Sequence, residues 1–430
     1  MRIPHIDKLI GISTFSSVNQ GIGGHIRVKK GDFQVEEIID PQILINLSPK
    51  PIGQNKTPIF SLIKKGVDTL HAVRTIENWF KVRFRFLGIK DANAYTTQYL
   101  SAPQKSNLPE EFSKGSITIR LLGYYKTQLD RSLLIGNCFN IIIRDIELSK
   151  DAASKIIDDS NSLLINNGIL NFYGYQRFGA RRPVTHLIGR EIVKRNFDSA
   201  IKSLVTFTTE FENSESQNIC DLMDNGDYSK ILKMIPRRMD IERIVLTALI
   251  KNPKDSIQAL RKIPLRLRRL YVNAYQAYLF NKTLSLAKER ELDLQKIFTD
   301  DIFSTLGDNS LDLGEIEKAR FETSDKKLKQ SILLCPIVGY GFRETKVGRI
   351  GEVINEVLKD EGVASRSFYI DEMQELSSEG GFRSTSLRGT NLSRDFNDNL
   401  KITMSLGKGS YATTFLRELM KPDSPLESGF

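Results

Sequence analysis

The 430-residue sequence predicts an α+β protein in which a helix-rich domain interrupts a strand-rich one. Apolar and polar residues alternate with the period of a strand in the N-terminal third and again after residue 395, whereas the pattern from about 190 to 378 is mainly helical. The length also exceeds the roughly 100–200 residues of one ordinary domain. We therefore expect one domain built from residues 1–188 and 380–430, with an insertion at 189–379.

Short periodic stretches predict the first elements. The sequence HIRVKKGDFQVEEIID (25–40) alternates as a strand that is broken at the turn-former Gly31. TLHAVRTIENWF (69–80) carries apolar residues at helical spacing, and KVRFRFLG (81–88) alternates again with its arginines on the polar side. A strand, a helix and a second strand are therefore expected in this order.

Two further strands and a long helix are predicted before the insertion. In RSLLIGNCFNIIIRDI (131–146) the Gly-Asn pair at 136–137 predicts a hairpin turn between two strands. A helix is expected over about 150–166, because Ser149 can serve as its N-cap and an Asn-Asn-Gly sequence follows as a left-handed stop.

The insertion and the C-terminal part have their own signals. One helical face in the insertion is apolar and consists of Leu267, Leu270, Ala274, Ala277 and Leu284. The Gly/Ser-rich stretch 379–395 predicts a linker. The last segment, LKITMSLGKGSYATTFLRELM (400–420), predicts a strand, a Gly-rich turn and a helix capped by Ser410.

Composition indicates a globular protein with an anionic partner. Hydrophobic residues make up 40% and charged residues 27% of the chain, and no apolar run reaches the ~18 residues of a membrane span, so we expect a cytoplasmic protein without membrane contact. Three cysteines without a CxxC pair and four scattered histidines predict neither a disulfide framework nor a metal site. The net charge of +10 favours nucleic acid as the partner.

Common cofactor motifs are not matched. GKGS at 407–410 lacks the GxxxxGK[ST] pattern of a P-loop, and GIGG at 21–24 neither follows a convincing strand nor opens a helix. The sequence contains no HExxH and no GxSxG. We therefore expect no nucleotide, metal or other cofactor.

The stretch GIKDANAYTTQ (88–98), taken alone, predicts a type I turn between strands. It is similar, however, to the motif GxKDxxAxTxQ of the tRNA pseudouridine synthase D (TruD) family. Other motifs of that family are resembled, in the same order, by GDFQVEEI (31–38), KKGVDT (64–69), GNCFNIIIR (136–144), NFYGYQRFG (171–179), NAYQAYLFN (273–281) and GSYATTFLREL (409–419). The resemblance spans essentially the whole chain, and GxKDxxAxT together with NxxGxQRFG is highly specific.

The resemblance implies a pseudouridine synthase catalytic fold, which is a mixed or antiparallel sheet flanked by helices, with a large α-rich inserted TRUD domain. It implies a cofactor-free isomerase that converts one uridine of tRNA to pseudouridine, with position 13 as the leading site and a second site such as position 35 as an alternative. The long insertion favours an archaeal-type member, and we expect a monomer. A catalytically inactive RNA-binding or RNA-chaperone protein of the same fold is the alternative.

The resemblance assigns Asp91 as the catalytic residue. A carboxylate beside C1′ of the nucleotide can act as a covalent nucleophile or as a base at C2′, and both routes stay open. A cation should keep the carboxylate ionised. The stretch GDFQVEEI (31–38) resembles the family motif DFxVxE. The family places the cation six positions before the Phe of this motif. Here that residue is Arg27, where bacterial members carry Lys. Lys90 is the weaker candidate, because neighbouring side chains of an extended segment point in opposite directions.

The NFYG sequence is expected to supply the base pocket. Tyr173 stands where the family usually has Phe, and an aromatic ring can stack on a base that has left the RNA stack. Asn171 is expected to hydrogen-bond the base or the Asp91 loop. Phe172 either lines the pocket or packs in the core.

Basic residues outside the pocket are expected to meet the RNA backbone. The resemblance and the charge pattern assign this contact to Arg177, Arg181, Arg182 and Lys64. Further arginines that could line a cleft between the two domains, or simply face solvent, are Arg237, Arg238, Arg266, Arg268 and Arg269.

Overall fold

The computed structural model describes residues 2–90, 94–104, 106, 108–179, 182–206, 216–307, 311–320, 327–328, 330–343, 347–390 and 392–430. Within these ranges the chain forms a nine-stranded and a four-stranded sheet. The strands of the larger sheet are β1 (Phe33–Ile39), β2 (Thr57–Lys65), β3 (Arg85–Phe86), β4 (Tyr95–Ser101), β5 (Glu111–Lys114), β6 (Ile117–Tyr125), β7 (Leu134–Ile143), β12 (Ser393–Phe396) and β13 (Leu400–Gly407). Those of the smaller sheet are β8 (Ile302–Leu306), β9 (Leu313–Lys318), β10 (Ser331–Ile337) and β11 (Gly381–Ser384).

Helices cover the sheets and fill the middle of the chain. They are α1 (His5–Leu9), α2 (Pro41–Ile45), α3 (Thr69–Phe80), α4 (Lys150–Ile165), α5 (Thr185–Val193), α6 (Phe197–Thr206), α7 (Ser216–Asp224), α8 (Tyr228–Met234), α9 (Asp240–Lys251), α10 (Ser256–Arg261), α11 (Leu265–Glu289), α12 (Arg349–Glu361) and α13 (Ala412–Met420). The α+β class predicted from the sequence is confirmed.

The larger sheet joins strands from both ends of the chain. Its order is β12-β13-β7-β1-β4-β2-β6-β5, with β3 paired to β4, and β1 runs parallel to β4 while the other pairs are antiparallel. Strand β13 pairs with β7 along its whole length, from Leu400 opposite Ile143 to Gly407 opposite Gly136. This pairing brings the start of α13, five residues after Gly407, to the same end of the sheet as Gly136.

Two predicted helices are confirmed, and for α4 so is the predicted cap Ser149. Helix α3 begins after Asp68, whose side chain accepts the backbone N–H of His71, and its buried face packs on β2 and β4. Helix α4 begins after Ser149, whose hydroxyl accepts the N–H of Ala152, and the chain turns at Asn167 with φ of 55°. Capping oxygens that take up free N–H groups explain both starts.

Three strand predictions need correction. The segment 25–28 forms no strand, because His25 makes only an isolated bridge to Arg144 and Arg27 has φ of 60°; β1 begins at Phe33. Of the stretch 81–88 only two residues pair as β3, although Phe84 is buried as its alternation predicts. The third correction concerns Gly136.

Gly136 lies inside the continuous strand β7 and does not form a hairpin turn with Asn137. A Cβ atom at Gly136 would lie 2.3 Å from the backbone oxygen of Leu406 in β13. Only glycine permits so close an approach of the neighbouring strand. The same residue type therefore signals close packing here, where the sequence indicated a turn.

The insertion is less helical than expected. Strands β8, β9 and β10 follow helices α5–α11, and β11 pairs with β10 although it falls in the stretch predicted as a linker. Six of the seven residues of β10 are buried, so its sequence SILLCPI shows no alternation by which a strand is recognised. Helix α11 is likewise buried on most of its surface and packs against α5 and α12.

Across the ranges given above, no helix combines the length and apolarity needed to span a membrane.

His186 is a buried neutral imidazole on α5. Its ring stacks on Tyr278, with centroids 5.0 Å apart, and meets the edge of Phe178. Burial lowers the pKa of His186 from 6.5 to about 3. Because the unfolded chain binds a proton near pH 6.5 and the folded chain does not, stability is fully present above that pH and falls as the pH drops towards about 3.

We expect His186→Phe to reduce this acid sensitivity, because phenylalanine keeps the ring contacts and cannot be protonated. Below pH 6.5 the wild type should lose about 1.4 kcal/mol of unfolding free energy per pH unit more than the variant. Urea unfolding at pH 7.5 and pH 5 measures the difference. His71→Gln, at an exposed position of α3, is the control and should keep the wild-type slope. Equal slopes for His186→Phe and the wild type would contradict the assignment.

Candidate active site

A cavity of about 490 Å³ opens where β1, β7 and the start of α13 meet. Alternate residues of the two strands form its floor: Phe33 and Val35 of β1, and Asn137 and Phe139 of β7. The rings of Phe33 and Phe139 pack edge to face with centroids 6.2 Å apart. The floor is therefore largely apolar and aromatic, which is the kind of surface on which planar bases stack.

Residues from several of the quoted motifs line the same cavity. Asp91, the predicted catalytic residue, lies with 92–93 outside the described residues. Its neighbours Lys90 and Ala94 both line the cavity, and Gln176 with Arg177 lines another side. Residues 410–413 and Leu270 of α11 complete the lining.

A buried carboxylate, Glu37, holds Lys90 at the cavity. The Glu37 side chain is fully buried, and the ammonium of Lys90 lies 2.9 Å from its Oε1 atom. Gln98 Nε2 and the backbone N–H of Tyr99 also donate to Glu37, so its carboxylate is satisfied without solvent. Sequence reasoning missed Glu37, although it is the acidic residue of the quoted DFxVxE motif. The structure thus places Lys90 in an ion pair beside the cavity.

The backbone of Lys90 is fixed from the other side by the KKGVDT motif. Thr69 donates its N–H and hydroxyl to the carbonyl of Lys90, and the backbone N–H of Lys90 donates to the Thr69 hydroxyl oxygen, with 2.8 Å between nitrogen and oxygen. The ammonium of Lys64 donates to the carbonyls of Val67 and Lys90. Lys64 is fully buried, which contradicts its predicted contact with backbone phosphate. Its role here is to position the residue that precedes Asp91.

If the chain binds tRNA as the motif resemblance implies, Lys64→Met should leave the salt dependence of that binding unchanged, because a buried ammonium releases no counterion from a phosphate. Filter binding at several salt concentrations gives the slope of log Kd against log salt. Arg177→Met is the matched comparison, since Arg177 lines the cavity and should lower the slope by about 1 if it contacts a phosphate. A similar decrease of this slope for Lys64→Met would show that Lys64 contacts a phosphate after all.

Arg27 lines the cavity, and its predicted role as the cation beside Asp91 stays a prediction. Its guanidinium lies 4.3 Å above the ring of Phe33 and donates to the carbonyl of Gly429 at 2.8 Å. The left-handed backbone at Arg27 turns the side chain into this position from a loop, whereas the sequence predicted a strand.

The NFYG residues lie behind the cavity wall and are not among its lining residues. The ring of Tyr173 is 7% exposed, and the guanidinium groups of Arg383 and Arg177 lie 4.1 and 5.3 Å from its centre. The Asn171 amide donates to Ser384 and accepts from Arg383, so its hydrogen bonds are used within the fold. Phe172 is buried in the main core, the second of its two expected roles. Tyr173 thus supports two arginines in this structure, and its predicted stacking on a base stays a prediction.

The other predicted phosphate contacts divide into paired and exposed arginines. Arg182 donates to Glu242 of α9, and Arg181 lies outside the described residues. Arg268 is buried and paired with Glu375, whose backbone carbonyl accepts from Arg269. The exposed members of this set are Arg237, Arg238, Arg266 and Arg269, the last of which keeps its exposed side chain despite the bond to Glu375.

The start of α13 differs from the predicted cap. Tyr411 occupies the N-cap position, and no side chain of the described residues caps the helix. The hydroxyl of Ser410 is buried and has no hydrogen-bond partner in the described part of the chain. The first N–H groups of α13, whose residues Ala412 and Thr413 line the cavity, therefore receive no capping oxygen from a described side chain.

Comparison with known proteins agrees with the motifs. The model of the family described as tRNA pseudouridine synthase D (TruD) matches residues 9–419. A Methanosarcina mazei protein named "Probable tRNA pseudouridine synthase D" is 33% identical over 440 residues, covering 98% of each chain, and a Methanosarcina barkeri relative of the same name is 33% identical over 447 residues, covering 99% of this chain and 100% of its own. A crystal structure of the Methanosarcina mazei TruD protein superposes with a TM-score of 0.81 at 31% identity, covering 99% of this chain and 100% of that one. The chain therefore belongs to the tRNA pseudouridine synthase D family of isomerases and has its pseudouridine synthase fold.

Proposed function

We propose that this protein isomerises a uridine of tRNA to pseudouridine in the cavity described above, with Asp91 as the catalytic carboxylate. One observation carries the proposal: Lys90 and Ala94, on either side of 91–93, both line the cavity. The contacts of Glu37, Lys64 and Thr69 fix the backbone and side chain of Lys90. A rigidly held neighbour is what a precisely positioned catalytic group requires.

The reaction is balanced without a cofactor. The N1–C1′ bond of uridine breaks, the uracil turns within the site, and a C5–C1′ bond forms while C5 loses its proton and N1 gains one. A carboxylate serves either as a nucleophile at C1′ or as a base at C2′. Arg27 at the same cavity would favour the ionised form of Asp91, because a neighbouring guanidinium lowers an aspartate pKa by about 1–3 units.

The surroundings of the cavity suit an extruded nucleotide. Taking a base out of its stack costs a few kcal/mol, and stacking of the base on an aromatic side chain stabilises the extruded state by about 1–3 kcal/mol per base. Phe33 and Phe139 on the floor and Tyr411 on the wall supply such rings. Arg266 lies one helical turn before Leu270, which lines the cavity. Arg266 and Arg177 can therefore contact phosphate groups of an RNA that enters the cavity.

The finer parts of the proposal follow from family membership. We propose uridine 13 of tRNA as the substrate, with a second site such as position 35 as an alternative. Residues 1–188 and 380–430 would form the catalytic domain and residues 189–379 the insertion. A monomeric state and a cytoplasmic location belong to the same proposal.

Nucleoside analysis tests this function directly. Unmodified tRNA transcripts are incubated with the protein, digested to nucleosides and separated by chromatography with mass detection. We expect a new nucleoside with the mass of uridine and the retention of pseudouridine, and sequencing of the treated tRNA then locates the position. Binding of tRNA without any such product would favour the catalytically inactive RNA-binding alternative.

A further inference from the structure

Polar side-chain atoms at the cavity lining that lack a hydrogen-bond partner within the described ranges include the Nε atom of Arg177, the Oδ1 atom of Asn137 and the hydroxyl of Ser410. Arg177 Nε belongs to a guanidinium that lies over the ring of Tyr173, whereas no such contact within these ranges accounts for the free atoms of Asn137 and Ser410. The large majority of buried side-chain polar atoms in folded proteins have a partner. The unsatisfied atoms of Asn137 and Ser410 on the lining of one cavity therefore indicate a ligand that hydrogen-bonds to both. The amide oxygen can only accept a hydrogen bond, whereas the hydroxyl can donate one.

Asn137 is placed by the sheet. It lies on β7 directly opposite Glu37 of β1, two residues before Phe139, so its side chain and the Phe139 ring share the face that forms the cavity floor. Its Oδ1 atom thus lies at the edge of the aromatic floor, where the edge of a base resting on Phe139 would come. Among the residues that the structure describes, none donates a hydrogen bond to this oxygen.

Ser410 is placed by the turn between β13 and α13. The strand ends at Gly407, which pairs with Gly136, the residue before Asn137. Ser410 follows three residues later, and Ala412 and Thr413 begin a nine-residue helix whose N-cap residue makes no side-chain capping bond. The hydroxyl of Ser410 and the uncapped start of α13 therefore supply donors to the same cavity that Asn137 lines.

We propose that Asn137 and Ser410 bind the base-pairing edge of the extruded uracil and select it over cytosine; this inference rests on the function proposed above. Uracil presents an imide N–H donor, at ring position 3, between two carbonyl oxygens. Asn137 accepts from this imide N–H, while Ser410, assisted by the start of α13, donates to a neighbouring carbonyl oxygen. Cytosine presents a lone pair at the same ring nitrogen, so the Asn137 oxygen meets another acceptor and stays unsatisfied.

The same contacts suit the base before and after it turns. Rotation of uracil about the line through ring atoms 3 and 6 exchanges the nitrogen at position 1 with the carbon at position 5, and one carbonyl oxygen with the other. The base-pairing edge keeps its pattern, which is an N–H donor flanked by two carbonyl oxygens. One donor and one acceptor can therefore hold the detached uracil in both orientations. Asn137 and Ser410 contact the substrate in this scheme, and they act by positioning it, without taking part in bond formation.

Substitution of Asn137 tests the inference with paired substrates. One tRNA carries uridine at the position that the wild type modifies, and the other carries 3-methyluridine, in which a methyl group replaces the imide hydrogen. We expect Asn137→Ala to lower kcat/KM for uridine at least about tenfold, because the imide N–H loses its acceptor. With the oxygen removed and space opened, kcat/KM for 3-methyluridine relative to uridine should rise at least about tenfold. Ser410→Ala should lower kcat/KM for uridine and leave this ratio near the wild-type value.

A matched control and the melting temperature separate recognition from folding. Asn140 lies on the same strand, outside the cavity lining, and its side chain accepts a hydrogen bond from Thr403. Asn140→Ala should therefore keep the wild-type ratio of kcat/KM for 3-methyluridine to kcat/KM for uridine. Asn137→Ala should melt at or above the wild-type temperature, because it removes a buried acceptor that has no partner among the described residues. Equal losses on both substrates with a lower melting temperature would overturn the inference. A wild type that forms no pseudouridine in any tRNA would instead refute the proposed function.

Discussion

Replacing Asp91 by asparagine should lower the rate of pseudouridine formation by at least about 10²- to 10⁴-fold, the usual contribution of a positioned acid, base or nucleophile. Asparagine keeps the shape of the side chain but cannot attack C1′ or remove a proton from C2′. We expect tRNA binding to stay within about twofold of the wild type, because one side chain contributes little beside the phosphate contacts. Single-turnover rates and filter binding on the same tRNA measure the two quantities.

The Asp91→Asn experiment is informative because the fold offers a comparison residue. Asp68 caps α3 through the N–H of His71, close to Asp91 in sequence and outside the cavity lining. Asp68→Asn keeps a good capping residue and should retain wild-type turnover. Turnover within tenfold of the wild type for Asp91→Asn would remove Asp91 from the chemistry.

Replacing Asp7 by alanine should lower the unfolding free energy by about 3–5 kcal/mol, because it leaves a buried guanidinium without its counter-ion. Asp7 and Arg417 are 0% and 3% exposed, and Arg417 Nε donates to Asp7 Oδ2 at 2.7 Å. The Tyr175 hydroxyl donates to the other oxygen of Asp7, and burial raises the pKa of Tyr175 far above its usual value. This triad connects helix α1, the 3₁₀ turn Tyr175–Arg177 and helix α13. Urea unfolding measures the loss.

Two further variants show whether burial causes the effect. Asp158→Ala breaks an exposed ion pair with Arg394 and should cost less than about 1 kcal/mol. Replacing both Asp7 and Arg417 by apolar residues should be less damaging than Asp7→Ala alone, since no unpaired buried charge is left. A cost below about 1 kcal/mol for Asp7→Ala would show that the guanidinium finds another partner or reaches water.

Periodicity predicted the elements that have one buried face and failed where burial is complete. The amphipathic helices α3 and α4 follow from residue spacing, and the start of α4 also follows from its Ser149 cap. Strand β10 did not, because its sequence SILLCPI is buried on both faces and lacks alternation. Gly136 was interpreted by its commonest local role, a turn, whereas the long-range approach of Leu406 determines its identity. Local patterns cannot report such tertiary contacts.

The site was predicted unevenly for a similar reason. Motif resemblance singled out residues that line the cavity, among them Arg27, Lys90 and Arg177. It could not tell which charged side chains are buried, so Lys64 was assigned to the RNA and Glu37 was overlooked. Charged residues are rarely buried unless paired, and the partner of Glu37 lies 53 residues away in the chain. Whether a charged side chain is exposed or buried therefore depends on partners that only the three-dimensional structure shows.

Tritium release is the measurement that tests the central claim most directly. Unmodified tRNA labelled with tritium at C5 of uracil is incubated with the wild-type protein, and radioactivity in the solvent is followed with time. Pseudouridine formation must expel the hydrogen from C5, because that carbon becomes the one bonded to the sugar. We expect release that levels off at one tritium per modified uridine. Stable binding of the labelled tRNA without release would contradict the account.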